Sequence, residues 1–104
     1  TIPDAVRLLE SGEIVGIPTE TVYGLAGIID DERALRRIFE IKERPFFDPL
    51  IVHISRREEL EKIVRHVPPA ATAAAQRFWP GPLTVVLPKR ETVHSLITAG
   101  ADTV

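Results

Sequence analysis

The sequence predicts an α/β layer fold with a mainly buried sheet. Near-continuously apolar runs, "EIVGIP", "PLIVHI" and "PLTVVLP", alternate with segments whose apolar residues recur at helical spacing. Strands buried on both faces read as such runs. Alternation of strand and helix selects a layered α/β architecture over a bundle or a sandwich. The tail starts a further strand at about Asp102, close to Val104. Residues 1–104 are therefore read as one partial domain, truncated on its C-terminal side.

The elements follow in order from local chemistry. Thr1 is a helix N-cap with Pro3 and Asp4 in the first turn. Val6, Leu8 and Leu9 give that helix an apolar face, and Gly12 ends it. "EIVGIP" is a strand stopped by Pro18. "DERALRRIFEIKE" places Ala34, Leu35, Ile38, Phe39 and Ile41 at helical spacing, with Asp30 or Asp31 as cap. "PLIVHI" is the second strand. Ser55 and Glu58 form a capping-box pattern for a third helix reaching about Val64. Pro69 opens a fourth helix, which Pro80 must end. "PLTVVLP" is the third strand, and "HSLITAGADTV" holds a short helix, then Gly100, then the start of a last strand.

Composition narrows the function classes. Hydrophobic residues make up 44% and charged residues 27%, a balance that argues against disorder. The absence of cysteine excludes disulfides and thiolate metal sites. No metal-ligand spacing and no GxxxxGK[ST] loop is present. No apolar run approaches the ~20 residues of a membrane span, and no charged-then-apolar leader appears in the sequence. A cytoplasmic location is the expectation. The net charge of −2 gives no global nucleic-acid signature. Its distribution is uneven: residues 1–32 carry one basic and seven acidic side chains, and residues 33–65 carry nine basic and six acidic. The second region, net +3, suits an anionic ligand or a set of solvated helix faces.

Three stretches could carry chemistry. "GIPTETVYGLAG" puts Thr19, Thr21 and a glutamate at the end of an apolar strand, where open α/β sheets bind ligands. In extended geometry Thr19 and Thr21 point the same way, while Gly24 and Gly27 allow close backbone approach. The threonines could equally be capping a short helix, with Tyr23 in the core. In "KERPFFDPL", Pro45 biases Arg44 toward extended backbone, so Lys42 and Arg44 project to one side. A planar guanidinium fork beside a compact ammonium can clasp a polyanion; the same pair could simply oppose the negative end of the preceding helix. Asp48 follows, held by Pro49. His53 is the one ionisable side chain in "LIVHI", suited either to a hydrogen-bonded core position or to substrate binding and proton handling. "FWPGPLTVVL" makes a rigid corner between helix and strand.

In order and spacing, "PTETVYGL", "K-x-RP-x-x-x-PLIVHI" and "FWPGPLTVVL" resemble the YrdC/Sua5 family, the threonylcarbamoyl-AMP synthases. The resemblance runs over nearly the whole chain and covers the first half of that family's domain. It implies a YrdC-like fold, a twisted, mixed open sheet with flanking helices. It implies an ATP-dependent nucleotidyltransferase that joins L-threonine, bicarbonate and ATP into L-threonylcarbamoyladenylate and pyrophosphate. ATP is a substrate there, with Mg²⁺ across its phosphates. A partner complex then transfers the threonylcarbamoyl group to adenosine 37 of tRNA. Carried over by position, Thr21 and His53 would hold L-threonine, Lys42 and Arg44 the ATP phosphates as the catalytic cations, and Asp48 and Thr103 the nucleotide. Asp48 stands where the family usually has asparagine. The family's Ser-x-Asn motif does not occur within these residues, so the isolated chain is expected to be inactive. The alternative on the same fold is an RNA-binding or ribosome-associated module without synthase activity.

Overall fold

The amide of Asp4 and the side-chain oxygen of Thr1 start the first element. Thr1 Oγ1 accepts from Asp4 N (3.2 Å) and donates to Asp4 Oδ2 (2.7 Å), capping helix α1, Ile2–Glu10. The computed structural model describes residues 1–43, 45 and 47–104; Arg44 and Phe46 lie outside the described residues. Gly12, at φ 88°, closes α1 as expected. The apolar face of α1 does not sink into a core: Ile2, Val6 and Leu8 stay exposed, and Ala5 and Leu9 are half-buried.

Strand β1, Val15–Pro18, follows. It does not end in a helix cap. It turns through Thr19–Val22 into an antiparallel partner that sequence reasoning did not anticipate, β2, Tyr23–Ala26. The register pairs Pro18 with Tyr23 and Val15 with Ala26. Tyr23 is 80% exposed, not in the core. Gly27 then lets the hairpin meet the next helix: an added Cβ would lie 3.3 Å from both Ala34 Cβ and Ile38 Cδ1.

Helix α2, Glu32–Lys42, is capped by Asp31, whose Oδ1 accepts from Arg33 N (3.0 Å) and Ala34 N (3.3 Å). Ala34, Leu35, Ile38 and Phe39 are buried on one face, as the spacing predicts, while Ile41 is exposed. Glu43 ends the helix in left-handed geometry at φ 53°. The third helix is a single 3₁₀ segment, Arg57–Lys62, and Glu59 rather than Glu58 closes its cap. Helix α3, Pro69–Phe78, stops before the cis Trp79–Pro80 bond, and a short α4, Ser95–Thr98, precedes Gly100.

Leu35, Leu60, Ile63, Val64, Ala71, Leu87, Val93 and Ile97 form the core. Over it lie the two runs expected as the second and third strands. Both are extended, but among the described residues neither joins a sheet. The only sheet there is the β1–β2 pair, supplemented by single bridges between Val64 and Lys89 and between Pro88 and Thr103. The physical reason is the lack of edge partners. Leu50, Val52 and Ile54, and Val85 and Leu87, alternate inward onto the core as strand residues do. Ile51, His53, Thr84 and Val86 alternate outward and are exposed. Helices and a small antiparallel sheet thus give the mixed α/β class read from the sequence, with most of the expected sheet unpaired.

Candidate functional site

The two extended runs both line an open cleft of about 770 Å³, within the usual size of small-molecule sites. Its other walls come from the 3₁₀ segment, the end of α3 and the stretch around α4. The corner after α3 positions one wall. Trp79 Nε1 donates to Leu83 O at 2.8 Å, and Gly81 sits so close to the end of α3 that a Cβ there would lie 2.5 Å from Phe78 O. The run that holds Leu50 is tied to α4 by Leu50 N donating to Ile97 O at 2.7 Å.

Among the described residues, His53 and Thr103 are the two sequence-predicted ones that reach this cleft. His53 is exposed, so the core reading of this histidine is set aside. Thr103 is held by the bridge to Pro88 and lies on the outward face. Thr84 shares the cleft wall. Sequence reasoning missed it, although it is the one polar side chain in "PLTVVLP" and sits two residues from outward-facing Val86. Ser55 also lines the cleft but is engaged locally: its Oγ and N donate to Glu59 Oε1 at 2.5 and 3.0 Å. Arg56 N adds a third bond at 3.1 Å. These donors, Ser55 first, hold the Glu59 carboxyl below its ordinary range. On the far side of α4, His94 Nδ1 accepts from Leu96 N (3.0 Å) and its Nε2 lies 3.4 Å from Glu32 Oε1. The Arg36 guanidinium at 2.8 Å is the main reason that the Glu32 carboxyl is also lowered.

Thr21, Lys42 and Asp48 lie outside the cleft walls. The hairpin turn divides its two threonines. Thr19 is structural: its Oγ1 accepts from Val22 N (3.1 Å) and Thr21 N (3.3 Å) and donates to Val22 O, while its own N donates to Val22 O at 3.1 Å. The exposed Thr21 hydroxyl lies 3.4 Å from Thr19 Oγ1, so the two side chains do share one side. Lys42 is exposed in the last turn of α2. Asp48 is half-buried at a turn closed by its N donating to Pro45 O at 3.0 Å. Arg44 belongs to the residues not described. The structure therefore places His53 and Thr103 in the lining of one cleft and leaves Thr21, Lys42 and Asp48 outside that lining.

The Sua5/YciO/YrdC family model, described as telomere recombination, matches residues 7–104. The chain belongs to this family. A threonylcarbamoyl-AMP synthase of Pyrococcus abyssi is 52% identical over 96% of the chain, and one of Bacillus subtilis is 43% identical over 99%. A threonylcarbamoyl-AMP synthase of Psychromonas ingrahamii is 32% identical over 97%. The chain spans 29% and 30% of the first two relatives and 54% of the third. The solved structure of P. abyssi Sua5 complexed with L-threonine is 51% identical, superposes with a TM-score of 0.95 over 99% of this chain, and is matched over 30% of its own length. A solved variant of the same protein gives a TM-score of 0.96. Fold and family membership thus agree, for a part of the family's domain.

Proposed function

We propose that this chain forms part of a cytoplasmic L-threonylcarbamoyladenylate synthase acting in tRNA modification. The observation that carries this reading is the 52% identity, over almost the whole chain, to a protein of that name. That a relative is solved with L-threonine supports threonine as a substrate. In this reading Thr21 and His53 hold L-threonine, and Lys42 and Arg44 bind the ATP phosphates. Asp48 and Thr103 contact the nucleotide. The threonine amine captures bicarbonate-derived carbon dioxide as a carbamate. A carbamate oxygen then attacks the α-phosphorus and pyrophosphate leaves. The protein's task is to position two substrates and to neutralise charge spreading over the phosphates. Lys42, at the end of α2, and Arg44 supply that charge, and no side chain forms a covalent bond to substrate. Mg²⁺ in this scheme is carried by the phosphates. Among the described residues no group of three or more His, Cys, Asp or Glu is arranged to hold a metal, so no step is assigned to protein-bound metal. The carboxylate of Asp48 opposes the phosphates and lowers ATP affinity relative to an asparagine there.

The test uses the protein that contains this chain together with the remainder of the family's domain. Pyrophosphate release that requires L-threonine and bicarbonate together supports the reading. Release indifferent to threonine would sink it. Salt-dependent binding to structured RNA without that turnover would favour the RNA-binding module instead.

A further inference from the structure

Helix α4 is tied to both candidate residues of the cleft. Leu50 N donates to Ile97 O at 2.7 Å, which fixes the run that carries His53. Val52 and Ile54, on either side of His53, pack against the cluster that contains Ile97. Gly100 N donates to Ser95 O at 3.1 Å and Ala101 N to Thr98 O at 3.0 Å, which fix the turn leading to Thr103. A helix of 4 residues has little stability of its own, so its cap matters. Ser, Thr, Asp and Asn are the ordinary caps, yet here the acceptor is a histidine. His94 Nδ1 accepts from Leu96 N at 3.0 Å. Its Nε2 lies 3.4 Å from Glu32 Oε1 on α2. Only the tautomer with its proton on Nε2 serves both contacts. Charged groups face the ring from two sides. Glu32 comes from α2, with Arg36 Nη2 2.8 Å from the same carboxylate oxygen. Lys89 comes from the segment before α4, and its Nζ donates to Val93 O at 3.2 Å. Asp48 and His53, on and beside the Leu50 run, make no hydrogen bond or ion pair with the ring among the described residues.

We propose that His94 is a positioning residue: its neutral ring, as the cap of α4, holds the run that carries His53, and its protonated ring releases that run. A proton on Nδ1 removes the lone pair that the Leu96 N–H needs and sets two donors against each other. The same proton makes the ring a cation, which Glu32 draws toward α2. Arg36 is the main reason that the Glu32 carboxyl is lowered, so this partner stays ionised while a histidine titrates. Protonation therefore exchanges a helix cap for an ion pair. The turn it frees contains Ile97, whose carbonyl is the acceptor for Leu50 N. An Asn or Asp cap would hold regardless of histidine titration; His94 makes the cap conditional on pH. Histidine changes charge between about pH 5 and 8, so the cap is present above that range and is lost as pH falls through it. The consequence for L-threonine rests on the role proposed above for His53. The link from the cap to the cleft does not.

The experiment uses the protein that contains this chain together with the remainder of the family's domain. Amide hydrogen exchange is measured by nuclear magnetic resonance between about pH 8 and 5, without ATP or threonine. Protection factors are corrected for the intrinsic exchange rate at each pH. Protection of Leu96 should fall roughly fivefold or more on acidification, as the loss of one cap allows. Protection of Leu50 should fall with it, while the amides in the middle of α2 hold. His94→Asn keeps an acceptor at the cap and takes no charge, so both amides should stay protected throughout. Leu96 protection that is constant in the parent, or that falls as much in His94→Asn, would overturn the proposal. So would a Leu50 amide that holds while Leu96 opens, since the cap would then not reach the cleft. A second arm follows threonine-dependent pyrophosphate release. His53 is present in both proteins, so only the difference between them reports on His94. The threonine requirement should rise more steeply on acidification in the parent than in His94→Asn, with the ATP requirement alike in the two. Equal slopes would remove His94 from the positioning of His53. If no release depends on threonine, the synthase reading alone fails, and the amide arm still decides the proposal.

Discussion

At the scale of single residues, the hairpin turn separates two threonines that the sequence leaves equivalent. Both lie in "PTETV", and spacing alone says only that they face one way. The hydrogen-bond pattern assigns the structural work to Thr19, which serves two amides and a carbonyl, and leaves Thr21 exposed. Thr19→Val should cost about 1 kcal/mol through the uncapped turn, read as a lower midpoint in urea. Thr21→Val should change stability by less than about 0.5 kcal/mol. In the longer protein the same Thr21→Val substitution should raise the threonine concentration needed for half-maximal pyrophosphate release. An unchanged threonine requirement would remove Thr21 from the proposed site. Gly81 offers a sharper packing test. A Cβ there meets a backbone oxygen at 2.5 Å, and the backbone cannot swing aside as a side chain can. Gly81→Ala should therefore cost roughly 1–3 kcal/mol and disturb the wall that carries Thr84. The sequence marks this position only as one glycine between two prolines, and the close approach that makes it obligatory belongs to the end of α3.

At the scale of elements, caps were legible and partners were not. Thr1, Asp31, Gly12 and Pro69 act where local chemistry puts them, because a cap is decided within four residues of chain. The cap of the 3₁₀ segment shows the limit of that locality. Ser55 and Glu58 fit the capping-box spacing, yet it is Glu59 that reaches back to the amides of Ser55 and Arg56, since the segment starts one residue later, with Arg56 at the N-cap and Glu59 three residues on. A pH dependence follows. Accepting three hydrogen bonds favours the ionised form, so the folded Glu59 titrates below its unfolded value. Its stabilisation is fully present above the ordinary carboxylate range and is lost as pH falls through the lowered folded value. Glu59→Gln should therefore destabilise the protein at neutral pH, and the gap from the parent should close on acidification in a series of urea titrations. A gap that stayed constant with pH would show that the charge contributes nothing to the cap. The strands were misread for the opposite reason. "PLIVHI" and "PLTVVLP" have the composition of strands and alternate in burial, but a strand exists only when another backbone lies alongside it, and no local pattern states which one. β2 was missed because "YGLA" is too short and too rich in small residues to stand out before its hairpin partner is known.

At the scale of the whole molecule, the candidate site was legible as a list of positions and not as a place. His53 and Thr103 are fifty residues apart in sequence and share a cleft because α4 binds Leu50 while Pro88 bridges Thr103. Thr21 and Lys42 sit on the hairpin and on α2, exposed and outside the cleft walls. A nucleotidyl transfer gains most of its rate from holding reactants in one geometry and from charge placed where it develops. A cleft open on one side, with Lys42 outside its walls, can do neither well. The apolar surface says the same: Ile51 and Val86 face outward at 67% exposure on runs whose inner faces already serve the core, as strands do that are to be covered on both faces. The 104-residue chain alone should consequently show no threonine-dependent pyrophosphate release above background, even at high ATP and threonine. The protein joined to the remainder of the family's domain should turn over, and His53→Ala in that joined protein should raise the threonine requirement far more than the ATP requirement. The paired assay separates the two ideas: turnover by the short chain would mean that the cleft is already a complete site, whereas an equal loss for both substrates in His53→Ala would place His53 in the architecture of the cleft and not against the amino acid.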